Sequence, residues 1–243
     1  MDVITQEILD NMYLVFQPIV SIDDLETIVK YEVLVRSELK LKEGDKITLS
    51  PFDIFRCVDN SQVTSKVLDL TKKTLDELPD IVLSININID DLLIKKTKKK
   101  IVKLSENYGN RLIFELIEKN ELTQYKKVVR EFIESVKYNN SKVALDDFGK
   151  SYSTFDPLLS FNFDILKIDE VISKNFEENL KKYYILDSLI TLSKRLGYEV
   201  VIEYINNIEK IKLLEMNECP MYLQGFEIGK PITKKALYEK AYK

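Results

Sequence analysis

Short apolar runs alternate with longer amphipathic segments along most of this chain. The apolar runs are rich in Val, Ile and Leu and shorter than typical helices, a pattern typical of strands that are buried on both faces. The pattern predicts eight strands, at residues 14–20, 28–35, 82–87, 112–116, 142–145, 165–168, 199–202 and 221–223.

The segments between most of these strands carry apolar residues at helical spacing. They predict helices at residues 63–78, 124–136, 180–196 and 206–216, and a last helix from Thr233 after Pro231. The first two strands are joined by a polar loop that is too short for a helix, so we expect them to pair as an antiparallel hairpin.

Strands that alternate with helices in this way predict an α/β fold, a TIM-like (β/α)8 barrel with an irregular start. An open, doubly wound sheet is the alternative, but no G-x-G-x-x-G motif follows a predicted strand, which weakens a dinucleotide-binding version of it. No Gly-, Ser- or Pro-rich linker divides the chain. We therefore expect a single domain over residues 1–243, with its core at about residues 13–232 and no room for a separate sensory domain.

The composition limits the kinds of catalytic and metal sites that the chain can form. The 243 residues include 36 Lys and Arg, 40 Asp and Glu, and no His. The absence of His excludes Ser-His-Asp triads, Cys-His dyads, proximal-His haem sites and His-rich zinc sites. A net charge of only −4 argues against a nucleic acid polymer as partner. The chain shows no signal peptide pattern and no apolar run of about 18 residues, so we predict no membrane segment and expect a cytoplasmic setting.

Polar or ionisable residues lie at seven successive predicted strand ends, and in a barrel of this kind these ends meet at one face. They are Glu32, Asn86, Glu115, Asp146 with Asp147, Lys167, Glu203 and Gln224. A single acid at such a position is often a helix cap or a loop ion pair. Burying so many together without a cation would cost several kcal/mol for each unpaired charge. The set therefore predicts hard divalent cations with oxygen ligands, Mg²⁺ or Mn²⁺ rather than zinc, with two ions able to clamp a phosphoryl substrate.

All of these residues except Glu203 belong to seven short motifs that follow one another along the chain. The motifs are Phe16-Gln17-Pro18-Ile19-Val20, Tyr31-Glu32-Val33-Leu34-Val35-Arg36, Leu83-Ser84-Ile85-Asn86-Ile87-Asn88, Phe114-Glu115-Leu116-Ile117-Glu118, Leu145-Asp146-Asp147-Phe148-Gly149, Leu166-Lys167-Ile168-Asp169, and Leu223-Gln224-Gly225-Phe226 with Gly229-Lys230-Pro231. In this order they resemble the EAL-domain family of cyclic di-GMP phosphodiesterases, over about residues 13–232.

The resemblance implies a TIM-like barrel with an antiparallel first strand, cyclic di-GMP as the substrate, and a homodimer. It implies two Mg²⁺ or Mn²⁺ ions and a role for each matching residue. The implied metal ligands are Glu32, Asn86, Glu115, Asp146, Asp147 and Glu203. Lys167 and Glu203 are the implied catalytic residues, Lys167 at the attacking water and Glu203 as a ligand or general base. Gln17, Arg36 and Gln224 would contact the substrate, and Glu118 would hold the loop after Asp147.

Several positions depart from the family pattern. The family's E-G-V-E is here Glu203-Tyr204-Ile205-Asn206, a Gly of the loop after D-D-F-G is Ser151, and Asn88 replaces a Ser. No implied metal ligand is lost, so hydrolysis of cyclic di-GMP to pGpG is the first hypothesis. The alternative is a weak or inactive domain that binds the dinucleotide or a protein partner as a signalling module. Asp169 is expected to cap the helix after the sixth strand rather than to bind metal.

Overall fold

The computed structural model describes residues 3–40, 44–117, 121–150, 154–205, 208–211 and 220–241. Within these residues the chain forms ten strands: β1 Met12–Ser21, β2 Ile28–Lys40, β3 Lys46–Leu49, β4 Leu83–Ile87, β5 Leu112–Ile117, β6 Lys142–Phe148, β7 Ile165–Ile168, β8 Glu199–Ile202, β9 Met221–Leu223 and β10 Ile232–Thr233.

The same residues contain twelve α-helices and two short 3-10 helices, Gly109–Arg111 and Phe176–Glu178. The α-helices are α1 Val3–Asp10, α2 Pro51–Cys57, α3 Asn60–Glu77, α4 Ile89–Leu93, α5 Lys95–Tyr108, α6 Glu121–Gln124, α7 Lys126–Tyr138, α8 Asp156–Ser160, α9 Glu170–Ser173, α10 Leu180–Leu196, α11 Ile208–Ile211 and α12 Lys234–Ala241. In the described part of the chain, no helix is both long enough and apolar enough to cross a membrane.

Eight of the strands close into a barrel. Around it the order is β1, β9, β8, β7, β6, β5, β4 and β2, and β2 pairs with β1 to complete the ring. Strand β1 runs antiparallel to both of its neighbours in the ring, whereas the other seven strands are parallel. The prediction of a TIM-like barrel with an antiparallel first strand is therefore confirmed.

Several predicted boundaries were wrong. Strand β2 continues to Lys40 because its last four residues, from Ser37, pair with β3, which the pattern did not predict. Helix α3 begins at Asn60 rather than at residue 63 because the Asp59 carboxylate accepts a hydrogen bond from the Ser61 amide at 2.9 Å. Thr233 lies in β10, and the last helix begins one residue later. Of the helix predicted at 206–216, residues 208–211 are described, and they are helical.

The interior of the barrel places an apolar layer directly below the polar strand ends. Its members are Ile19, Ile113, Ala144, Ile165 and Val201. Ile113, Ala144, Ile165 and Val201 each lie two residues before a polar site residue, which is Glu115, Asp146, Lys167 and Glu203 in turn. Side chains two residues apart on a strand point to the same face. On the antiparallel β1 the order is reversed, so that Gln17, two residues before Ile19, lies toward the polar end. This apolar layer closes the barrel beneath the site.

Candidate active site

Lys167 of β7 lies at the centre of the polar end of the barrel, and its side chain is only 1% exposed. Its ammonium nitrogen lies 2.8 Å from Glu115 Oε2, 2.8 Å from Asp146 Oδ1, 2.9 Å from Glu203 Oε1 and 3.7 Å from Glu32 Oε2. The four carboxylates come from β5, β6, the residue after β8, and β2. One buried cation thus connects acids from four parts of the ring.

Two amides hold the carboxylate of Glu32. Asn86 Nδ2 donates a hydrogen bond to Glu32 Oε1 at 2.8 Å, and Gln224 Nε2 donates one to Glu32 Oε2 at 2.5 Å. The remaining oxygen of Glu115 accepts a hydrogen bond from the Ser84 hydroxyl on β4. These bonds orient the acids before any ligand arrives.

Asp146 and Asp147 are neighbours on β6, and side chains of neighbouring strand residues ordinarily point to opposite faces. Here the pairing of β6 with β7 shifts register between Leu145 and Phe148, and Asp147 has a left-handed backbone with φ of +58°. Gly149 follows with φ of +104°, where a side chain would collide with Ile172. The turn lets Asp146 and Asp147 both border the same cavity.

A second group of acids lies beside the first. Single carboxylate oxygens of Asp147, Asp169 and Glu203 all lie within 4.8 Å of one another. Asp169 caps α9 by accepting from the Val171 amide at 2.8 Å, which confirms the predicted cap, and its carboxylate also joins this group. The Ser173 hydroxyl holds the backbone of Glu203 through its carbonyl oxygen at 2.5 Å.

The residue after Glu203 has a strained backbone. Tyr204 has φ of +55°, a conformation that costs a residue with a side chain about 1–2 kcal/mol. Its ring lies under the ammonium of Lys174, 4.4 Å from the ring centroid, and its hydroxyl accepts a hydrogen bond from the same nitrogen at 3.3 Å. Gly225 is needed opposite, because a side chain there would lie 2.7 Å from the Ile205 amide nitrogen.

Burial dominates the electrostatics of the acids. It raises the pKa of Glu115 to about 8 and the pKa of Glu203 to about 8, although the charge of Lys167 acts in the opposite direction on both. Burial and the nearby charge of Asp146 also raise the pKa of Asp147. Burial would lower the pKa of Lys167, but the surrounding carboxylates outweigh it and hold that pKa well above its usual value.

The donor set fits divalent cations. The six clustered carboxylates are Glu32, Glu115, Asp146, Asp147, Asp169 and Glu203. Among the described residues, the ammonium groups of Lys167 and Lys150 contact them, so four negative charges in this part of the chain would be uncompensated if all six were ionised. Two divalent cations would balance that charge, and oxygen donors suit Mg²⁺, Mn²⁺ or Ca²⁺. Among the described residues, Gln224 Oε1 is also buried in the site without a hydrogen-bond donor.

A cavity of about 640 Å³ opens beside the acids. Glu32, Asn86, Asp146 and Asp147 border it on one side. Apolar residues of α2 and of the strand edge border the other, among them Phe52 with 68% of its surface exposed. The cavity thus has carboxylates on one side and exposed aromatic rings on the other.

The structure brings most of the predicted site residues together, but not all. Gln17 lies opposite Glu32 in the β1–β2 ladder and so shares its face. Arg36 lies four residues beyond Glu32, about 13 Å further along the strand at about 3.3 Å per residue, and its guanidinium donates to the Val35 carbonyl at 2.8 Å. Glu118 lies outside the described residues, as do Ser151 and Asn206.

Among the described residues, one of the six acids, Asp169, and two residues that contact the acids, Ser84 and Lys150, were not assigned to the site from the sequence. Asp169 lies two residues after the predicted strand-end lysine, and Lys150 directly follows the D-D-F-G motif. Nothing in the local pattern distinguishes these residues from a helix cap or a surface lysine.

Comparison with known proteins places the chain in a family. The sequence model of the EAL domain matches residues 3–231. The cyclic di-GMP phosphodiesterase PdeL of Escherichia coli K12 is 26% identical over 70% of this chain and 48% of its own length. PdeF of the same organism, also a cyclic di-GMP phosphodiesterase, is 35% identical over 50% of this chain and 16% of its own length. The matches thus span less than half of either relative.

Solved structures agree with this placement. An EAL domain protein from Listeria monocytogenes EGD-e superposes with a TM-score of 0.79 at 25% identity, covering 99% of this chain and 98% of that one. Klebsiella pneumoniae BlrP1, solved as a manganese and cyclic di-GMP complex, has a TM-score of 0.76 at 21% identity, covering 92% of this chain and 56% of that one. With the family match over nearly its whole length and the same fold, this chain belongs to the EAL domain family.

Proposed function

We propose that this chain hydrolyses cyclic di-GMP to linear pGpG with two divalent cations, Mg²⁺ or Mn²⁺. The observation that carries the proposal is the convergence of carboxylates around Lys167 at the polar end of the barrel. The relatives PdeL and PdeF, which are cyclic di-GMP phosphodiesterases, support the choice of substrate.

In this proposal the metal ligands are Glu32, Asn86, Glu115, Asp146, Asp147 and Glu203, with Asp169 as an added candidate because it lies beside Asp147 and Glu203. Bound cations would neutralise the phosphodiester and lower the pKa of the attacking water. The amides of Asn86 and Gln224 fix Glu32 so that its oxygens face the same space as those of Asp146.

Lys167 keeps the acids together and places a fixed positive charge where negative charge develops on the phosphate. Glu203 is the proposed general base: its carboxylate, which bound cations would keep ionised, accepts the proton of the water that attacks phosphorus. The bond from phosphorus to the ribose oxygen breaks, and that oxygen takes a proton from solvent. One diester is opened and the other remains, which gives pGpG.

The cavity supports a dinucleotide substrate. Its volume of about 640 Å³ lies within the range of cavities that hold small ligands, and the exposed rings of Phe52 and Phe55 offer a stacking surface for a base. Gln17, Arg36 and Gln224 are the proposed polar contacts to substrate. A homodimer is part of the proposal on the ground of the family resemblance, and light scattering measures it.

A second candidate is a module that binds cyclic di-GMP without cleaving it. The strained Tyr204 next to Glu203 favours this interpretation, because it restricts a turn at which the family pattern has Gly. Calorimetry that shows tight binding of the dinucleotide, together with no turnover, would select it.

The decisive test incubates pure protein with cyclic di-GMP and either metal and resolves the products by chromatography. Glu115→Gln preserves the shape of the site but removes a proposed ligand. Glu131→Gln is a matched change at an exposed glutamate of α7. We expect pGpG from the unaltered protein and from Glu131→Gln, and at least a hundredfold less from Glu115→Gln. No pGpG above the Glu115→Gln level would reject hydrolysis.

A further inference from the structure

The ammonium of Lys150 lies on the second group of acids. Its nitrogen lies 3.2 Å from Asp147 Oδ1 and 3.7 Å from Asp169 Oδ2, and its side chain is 54% exposed at the edge of the cavity. A lysine ammonium is charged at neutral pH, because its ordinary pKa is about 10.4.

The two carboxylates that contact Lys150 belong to a group of three that could hold a metal ion. Asp147, Asp169 and Glu203 each offer one oxygen within 4.8 Å of the others. A bound divalent ion would lie about 2–2.6 Å from such oxygens. An ammonium that stayed where it is would then lie beside a doubly charged ion and be repelled by it.

We propose that Lys150 is a tethered competitor for the divalent cation at the group of Asp147, Asp169 and Glu203, so that an ion must displace its ammonium in order to bind. This inference rests on the proposed function only in that the acids bind a divalent ion at all. It assigns to Lys150 a role in setting how much metal the site requires.

The exposure of Lys150 limits how strongly its ammonium can weaken metal binding. A half-exposed ion pair is weak compared with a buried one, because water solvates the ammonium when it leaves the acids. Lys167, by contrast, lies almost fully buried among its four acids. Lys150 is therefore expected to weaken metal binding by about two- to fivefold rather than to abolish it.

The experiment is a titration of the purified chain with Mn²⁺, in the absence of any dinucleotide, with free Mn²⁺ followed by electron paramagnetic resonance. Lys150→Met and Lys150→Gln remove the competing charge, and Lys150→Arg retains a cation. Lys99→Met is the matched control, because it removes one positive charge at an exposed position on α5. Circular dichroism melts of each variant verify folding.

The expected result is a Kd for Mn²⁺ that is about two- to fivefold lower in Lys150→Met and Lys150→Gln, with Lys99→Met and Lys150→Arg close to the unaltered chain. Equal affinity in all folded proteins would overturn the role of Lys150 while leaving the proposed hydrolysis intact. So would the same gain in Lys99→Met, since it would reflect net charge alone. If no protein bound Mn²⁺, both this inference and the proposed metal-dependent reaction would fail.

Discussion

Lys167 is the buried cation on which the acid cluster depends, and Lys167→Met removes its charge while keeping a similar length. The change leaves Glu32, Glu115, Asp146 and Glu203 facing one another in a site where the lysine side chain is only 1% exposed. Removing one partner of a buried ion pair costs about 3–5 kcal/mol. For a chain of this size about 1 kcal/mol moves Tm by about 2–4 °C. We therefore expect Tm to fall by about 6–20 °C in the presence of a chelator.

The fall in Tm that Lys167→Met causes should grow as pH rises. The pKa of Glu115 and of Glu203 is about 8 in the folded chain, against an ordinary value of 4.5 for a glutamate in water. Between these values the folded state holds protons that the unfolded state has released, so the stability contributed by each group is complete below about pH 4.5 and is lost as pH rises through about 8. Without the ammonium, which lowers both pKa values, they rise further. The difference in Tm between Lys167→Met and the unaltered chain should thus be larger at pH 8.5 than at pH 5.5.

Lys30 provides a matched buried lysine at the opposite end of the barrel. Its side chain is 6% exposed, its nitrogen lies 3.4 Å from Glu199 Oε2 and 3.7 Å from the Tyr222 ring centroid, and Glu199 also pairs with Lys142. Burial lowers the pKa of Lys30 from 10.5 to about 8. Folding therefore disfavours its charge below pH 8, by at most about 3 kcal/mol, and this penalty fades as pH rises from about 8 to 10.5. Lys30→Met should be as stable as the unaltered chain at pH 7, or more stable.

The assay is thermal unfolding of the three proteins in EDTA at pH 5.5, 7 and 8.5, repeated with Mn²⁺. Added Mn²⁺ should recover part of the loss in Lys167→Met, because the acids then have another cation. A Tm for Lys167→Met within about 2 °C of the unaltered chain at pH 8.5 would refute the reasoning. An equal loss in Lys30→Met would refute it too, since the loss would then reflect packing rather than the four acids.

Three further predictions concern other parts of the fold. Asp91 is buried in α4, and burial raises its pKa from 3.8 to about 6. The stability that it contributes is therefore lost as pH rises through about 6, and Asp91→Asn should stabilise the chain by about 1–3 kcal/mol at pH 8 but not at pH 4, as urea unfolding would show. Tyr204→Gly should change stability by less than about 1 kcal/mol, because relief of strain offsets the lost contact with Lys174, whereas Tyr204→Ala keeps the strain and should lose about 1–2 kcal/mol in the same experiment. Phe52→Ala should raise KM for cyclic di-GMP by about tenfold with little loss of stability, while Tyr138→Ala, at another exposed ring, should leave KM unchanged.

Each of these has a contrary outcome. A pH-independent effect of Asp91→Asn would show that its carboxyl is not the titrating group. Equal stability of the Gly and Ala variants at Tyr204 would show that its left-handed backbone stores no strain. If Phe52→Ala left KM unchanged in steady-state kinetics, the ring of Phe52 would not contact the substrate.

Much of the barrel was predictable because it rests on local signals. Strands β7, β8 and β9 have the predicted boundaries, since each is a short apolar run bounded by polar residues. The hairpin of β1 and β2 followed from a loop too short for a helix. Strand β3 was missed because it is largely exposed and has no apolar run, and it exists only because β2 extends beyond the ring to pair with it.

The candidate site was likewise predictable only in part from the sequence. Its acids were predictable because parallel strands of one barrel end at one face, so a polar residue after each apolar run marks the mouth. Asp147 was assigned to the site by its motif, and the left-handed turn that lets it border the same cavity as Asp146 depends on a register shift between β6 and β7. Lys150 and Asp169 come into contact with the acids through that turn and through the start of α9.

By itself the sequence determined the barrel, its antiparallel first strand, and an all-oxygen set of candidate ligands in a chain without histidine. Only the tertiary structure decided that Lys167 binds four of the acids together and that Lys150 lies on the others. The physical reason is that strand formation depends on neighbours in the chain, whereas these ion pairs join residues up to 135 positions apart, whose distances are set when the ring closes.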